Sequence, residues 1–142
     1  MNHPYLYIAC FVPYYRLMAA VTPIREQRLE REILQPHVTV QYQPETVDER
    51  LFGENVLIRV TGYGCNGRNE GLSVRVQSKD RDLQKLLDAI AVPHITLSVA
   101  KDGSSVDMSE LDFHPIEPFT VRGRFGGCLP GRVVVTAPPD PR

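Results

Sequence analysis

The sequence predicts an α+β domain built as two similar lobes. Three observations carry this. A chain of 142 residues has the size of one domain, so two independent cores are not expected. Strand-like and helix-like segments alternate along it. And one arrangement occurs twice: a strand, a helix, a proline, then a strand that begins His-apolar-Thr-apolar. The copies end in Pro36-His37-Val38-Thr39-Val40 and Pro93-His94-Ile95-Thr96-Leu97. Their intervening segments differ in length, which makes this a degenerate duplication within a single domain, 1–142.

The elements follow in order. Residues 5–12 are aromatic and β-branched and stop at Pro13, as a buried strand does. Thr22-Pro23 reads as an N-cap and first helical position, so the charged run 24–34 is expected to be a helix ending before Pro36. Residues 37–42 alternate with period two and read as a strand. Residues 55–63 and 71–77 form a predicted hairpin around Asn66-Gly67. Ser78 can cap a helix in which Leu83, Leu86, Leu87 and Ile90 share one face. Pro93 ends it, and residues 94–99 are a second alternating strand, followed by a turn at Asp102-Gly103. Residues 119–124 and 132–136 read as a last strand pair joined by a loop over 125–131. Three prolines mark 137–142 as a disordered tail.

Composition excludes several classes. Sixteen Lys+Arg against seventeen Asp+Glu give a formal charge of −1, without the basic surplus that long duplex nucleic acid requires. A local positive pocket for a small anion remains compatible with that balance. Cys10, Cys65 and Cys128 are odd in number and widely spaced, which reads as free thiols in a reducing compartment. The most apolar stretch, 5–21, is broken by Pro13 and Arg16 and has no basic leader, so neither a membrane span nor a signal peptide is expected. The expectation is a cytoplasmic monomer.

Side chains two apart on a strand share a face. His37, Thr39 and Gln41 therefore lie together, as do His94, Thr96 and Ser98, with apolar residues opposite. Four His and seven Thr in 142 residues give about 0.2 His-x-Thr triplets by chance. A single copy is readily a strand edge with a satisfied histidine. Two copies, each after a proline and each with apolar alternates, point to chemistry. Zinc needs at least three His, Cys or carboxylate ligands, which the motifs do not supply, so no metal and no cofactor are expected. Two imidazoles titrating near neutrality can instead divide proton transfer, one accepting and one donating, while threonine hydroxyls donate to charge building on phosphorus.

These residues resemble the two-histidine (2H) phosphoesterase superfamily. The likeness rests on His37-Val38-Thr39-Val40 and His94-Ile95-Thr96-Leu97, 57 positions apart, and runs loosely over residues 5–136. Residues 94–103 also look like the RNA-repair-associated branch. The resemblance implies a bilobal, pseudo-twofold fold, with two antiparallel sheets around a central cleft that both motifs face. It implies a metal-independent phosphodiesterase acting on 2′,3′-cyclic phosphates, 2′-5′ linkages, RNA 3′ ends or cyclic oligonucleotide signals. By analogy His37 protonates the leaving oxygen and His94 activates the nucleophile. The alternative is a non-catalytic module that sequesters a cyclic nucleotide or RNA end.

Around the four catalytic candidates, Arg75, Lys101, Tyr42 and Ser98 are candidates for substrate binding. With no tryptophan in the chain, base stacking falls to Tyr5, Tyr7, Tyr42 or Tyr63, each of which also suits core or rim packing. The glycine cluster 62–71 lacks the Lys-Ser/Thr ending of a phosphate loop. His3 and His114 are read as bystanders.

Overall fold

The computed structural model describes residues 3–102 and 111–138. The chain alternates buried and exposed positions over long stretches, and these become strands: β1 (Tyr7–Phe11), β2 (Arg31–Glu32), β3 (His37–Tyr42), β4 (Asn55–Cys65), β5 (Asn69–Gln77), β6 (His94–Val99), β7 (His114–Leu129) and β8 (Val133–Val135). Among the described residues two α-helices, α1 (Tyr14–Val21) and α2 (Arg81–Asp88), and a 3-10 turn at Glu49–Leu51 accompany them. About 45% of the chain is strand and 15% helix.

Six antiparallel strands pair in the order β1-β3-β6-β5-β4-β7, and β7 pairs back onto β1 to close a barrel. This corrects the expected bilobal α+β fold with two sheets around a cleft. The two His-x-Thr strands lie side by side in one sheet, with Val38 opposite Ile95. Closure pairs the backbone groups that open edges would leave free. Its interior holds Ile8, Cys10, Val38, Ile58, Val60, Leu72, Ile95, Leu97 and Phe125. The apolar alternates of both motifs therefore face the core, and their histidines and threonines face outward. Among the described residues no helix is long and apolar enough to cross a membrane.

Three local expectations also change. The first helix begins where Pro13 stands as N-cap and buries Leu17, Met18 and Val21. Thr22 ends this helix instead of starting one, its hydroxyl donating to the Met18 carbonyl at 2.6 Å. Residues 24–34 form a strap with no helix, strand only at Arg31–Glu32, whose polar groups are met by side chains of the barrel. The Tyr63 hydroxyl accepts from the amides of Glu26 and Gln27, Ser98 Oγ accepts from the Leu29 amide, and Arg25 binds both Glu32 and Glu70. At β2 the strap joins β6.

Residues 125–129 of the expected loop 125–131 are instead the last third of β7, which runs on through Gly126-Gly127 to pair with β1 and β8. A Cβ at Gly127 would stand 2.5 Å from the Tyr5 ring, so glycine is what lets the strands close there. The turn comes later, at Gly131 and Arg132, both with positive φ (82° and 63°).

Elsewhere the elements lie within a few residues of their expected places. The β4–β5 hairpin turns at Gly67, at φ 85°. Asp80, not Ser78, caps α2 by accepting from the Leu83 amide, while Ser78 Oγ accepts from the Asp80 amide. All three cysteines are free. Gly103 of the expected turn and residues 139–142 of the expected tail lie outside the described residues.

Candidate active site

Each motif begins its strand immediately after a proline, and each does so in the same way. Pro36 has no amide hydrogen, and its carbonyl accepts from Val12 at the end of β1 (3.0 Å). Pro93 offers its carbonyl to Val74 of β5 (3.2 Å). The residue before each proline then presents its carbonyl to the histidine after it. His37 Nδ1 lies 2.8 Å from the Gln35 oxygen, and His94 Nδ1 lies 2.8 Å from the Val92 oxygen. A carbonyl only accepts, so both Nδ1 atoms carry hydrogen, and Nε2 is left free on both rings.

The antiparallel pairing through Val38 and Ile95 sets His37 opposite Thr96, and Thr39 opposite His94. Such facing pairs have Cβ atoms about 4.5–5.5 Å apart. Each imidazole therefore neighbours the hydroxyl of the other motif. All four side chains are partly buried and line one cavity of about 870 Å³. The strap supplies one wall, residues 32–35, and the β7–β8 turn supplies another with Arg132.

Aromatic rings desolvate one of the histidines more visibly. Tyr7 stacks on His37 with centroids 4.9 Å apart and planes 22° apart, and Phe11 flanks it at 5.6 Å. Burial lowers the His37 pKa below its usual 6.5; its bond to Gln35 opposes this, and the nearby His94 adds to it. His37 is therefore neutral at pH 7, with its Nε2 lone pair free. Burial also raises the Tyr7 hydroxyl, which sits beside Cys128.

Of the substrate-binding candidates, only Tyr42 reaches the cavity, standing 68% exposed on its rim. Ser98 does not. It is fully buried, accepting from the Leu29 amide and donating to Glu70 Oε1 at 2.7 Å. The strap covers it: Glu32 of β2 pairs with Ser98, and the Leu29 amide bonds its hydroxyl. Arg75 is exposed on β5 opposite Arg59, and Lys101 is exposed with its amide on the Glu30 carboxylate; neither lines the cavity. Tyr5 and Tyr63 are core residues.

Arg132 is the residue that sequence reading passed over. Among the described residues it is the one Lys or Arg that lines the cavity. The Pro130-Gly131 pair announced a turn, but nothing in the sequence showed that this turn would close over the two motifs. Apolar side chains are also exposed on the rim, Leu6, Leu34 and Val92 together with Tyr42, beside the polar Glu32 and Gln35 of the strap. Among the described residues no group of three or more His, Cys, Asp or Glu side chains is placed to hold a metal ion.

No protein-family model matches this chain, and no curated protein matches it.

Proposed function

We propose that the protein is a phosphodiesterase that cleaves a cyclic or 2′-linked phosphodiester at a nucleotide or RNA end, using His37 and His94 as a general acid–base pair. One observation carries the reading. Both imidazoles have Nδ1 fixed to a carbonyl two residues earlier and Nε2 free, and each faces the other motif's threonine within one cavity.

The physical asymmetry of the two rings favours a division of labour opposite to the one the 2H resemblance implies. Neutral His37 accepts the proton from water or a ribose hydroxyl as that oxygen attacks phosphorus. His94 donates from Nε2 to the oxygen that leaves as the second P–O bond breaks. Two imidazoles in one cavity disfavour double protonation, and burial makes His37 the ring that stays neutral. The Thr39 and Thr96 hydroxyls donate to the non-bridging oxygens, and the Arg132 guanidinium neutralises the phosphate. The apolar rim of Leu34, Tyr42 and Val92 suits the faces of a base and ribose.

The test is a substrate panel in the presence of EDTA: 2′,3′-cyclic mononucleotides, 2′-5′ oligoadenylate, RNA ending in 3′-phosphate or cyclic phosphate, and cyclic di- and trinucleotides. Cleavage of at least one, unaffected by EDTA, is expected. Tight binding with every ligand recovered intact overturns the enzyme in favour of a sequestering module.

A further inference from the structure

Phe11, whose ring flanks His37, also forms part of a second cleft, of about 430 Å³. Three arginines line it: Arg16 from the first turn of α1, and Arg122 and Arg124 from one face of β7. Asn55 stands beside them, and among the described residues no Asp or Glu lines the cleft. Among those residues, too, none of the three arginines forms an ion pair, whereas Arg25, Arg28 and Arg50 all do. In a chain of net charge −1, this is a local concentration of uncompensated positive charge. The first turn of α1 adds to it, having no side-chain cap and no acidic residue.

The register of the barrel connects this cleft to the histidines. Across the outer face, His37 pairs with Phe11, Phe11 with Arg124, and Arg124 with Asn55. Residues directly opposite on neighbouring strands share a face, and strands lie about 4.8 Å apart. Arg124 is therefore two strands, or roughly 10 Å, from His37 along one continuous surface.

We propose that the arginine cleft is a second phosphate-binding subsite, holding an upstream internucleotide phosphate of a single-stranded oligonucleotide whose terminal phosphodiester lies between His37 and His94. This rests on the phosphodiesterase reading and narrows it, from any cyclic nucleotide to the end of a strand. The planar guanidinium forks suit phosphate oxygens, and the Phe11 ring between the two sites offers a face for an intervening base. The cleft holds too few cations to track a long polymer, which agrees with the balanced charge of the chain.

The experiment is fluorescence anisotropy with a 5′-fluorescein 2′-O-methyl RNA hexamer, which lacks the 2′-hydroxyl nucleophile, titrated at several salt concentrations. Wild type is compared with Arg122→Gln/Arg124→Gln, and thermal melting checks that the variant is folded. The double variant is expected to bind about tenfold more weakly or worse, consistent with loss of charge-assisted hydrogen bonds. The slope of log K against log salt should become shallower by about 0.7 for each phosphate that is no longer neutralised. Arg122→Lys/Arg124→Lys is expected to keep that slope. Equal affinity and slope in the Gln variant, or no hexamer binding by wild type, overturns the proposal. Failure of the phosphodiesterase reading shows itself separately, as intact substrates throughout the panel, and leaves the arginine dependence of hexamer binding unaffected.

Discussion

Tyr7 and His37 lie ring on ring, 4.9 Å apart at 22°, on adjacent strands of the barrel. The stack removes water from one face of the imidazole, and burial is the main reason that the His37 pKa lies below 6.5. Replacing the ring should restore that water. In Tyr7→Ala the His37 Cε1–H resonance is predicted to titrate at higher pH than in wild type, nearer 6.5. An unchanged titration would show that the stack does not set this pKa.

The same shift makes stability depend on pH. The unfolded chain takes up a proton at His37 near 6.5, while the folded state resists it until lower pH. The unfolded state thus binds more protons in that window, and native stability must fall as pH drops through 6.5 towards the folded pKa. Urea unfolding of wild type and Tyr7→Ala over this range is predicted to give a steeper decline for wild type. Parallel curves would contradict the linkage.

The strap that walls the site hangs on a buried ion triad. Arg25 lies 2.8 Å from Glu32 and 2.5 Å from Glu70, and the Glu70 side chain has no solvent exposure. Burial by itself would raise the Glu32 carboxyl, but hydrogen bonds from Arg25 and Tyr14 outweigh it and hold it below the usual range. Arg25→Met leaves Glu70 buried without its cation and is predicted to cost about 3–5 kcal/mol in chemical denaturation. Arg28, which reaches Glu32 with a 61% exposed side chain, should cost at most about 1 kcal/mol when changed to Ala. Equal losses would mean that burial does not govern these pairs.

Arg132 reaches the cavity from a turn in which its own φ is 63°. Its role in the proposed reaction is to bind phosphate in the ground state and transition state alike. Arg132→Ala is therefore predicted to raise KM by about 10- to 100-fold, the range of a missing charge-assisted hydrogen bond, with far less change in kcat. A loss confined to kcat would assign it to the transition state alone, and an unchanged KM would remove it from the site.

Local patterns in the sequence carry the four central residues well. The alternation in 37–42 and 94–99 fixes which side chains share a face, and a preceding proline fixes where each strand starts. What the patterns do not carry is partner choice. Nothing local says that Val38 pairs with Ile95, or that β7 pairs with both β1 and β4, so the sequence suggests two lobes where one barrel closes. The Thr22-Pro23 start signal misleads at 24–34, because the groups that hold this strap, Tyr63, Glu70 and Ser98, come from distant strands. Gly126-Gly127 misleads in the opposite direction. Glycines that usually mark a turn here admit the Tyr5 ring and the backbone of β8. Ser98 is withdrawn from the site because the strap, a segment distant in sequence, covers it and bonds its hydroxyl.

The central claim is that His37 and His94 work as one acid–base pair, and the most direct measurement is the kcat of His37→Ala, His94→Ala and the double variant on whichever phosphodiester the wild type cleaves. Each single variant is predicted to lose about 10²–10⁴ in rate, and the double variant little more than the worse single, because residues acting as a unit are not additive. A single variant that keeps wild-type kcat would contradict the account.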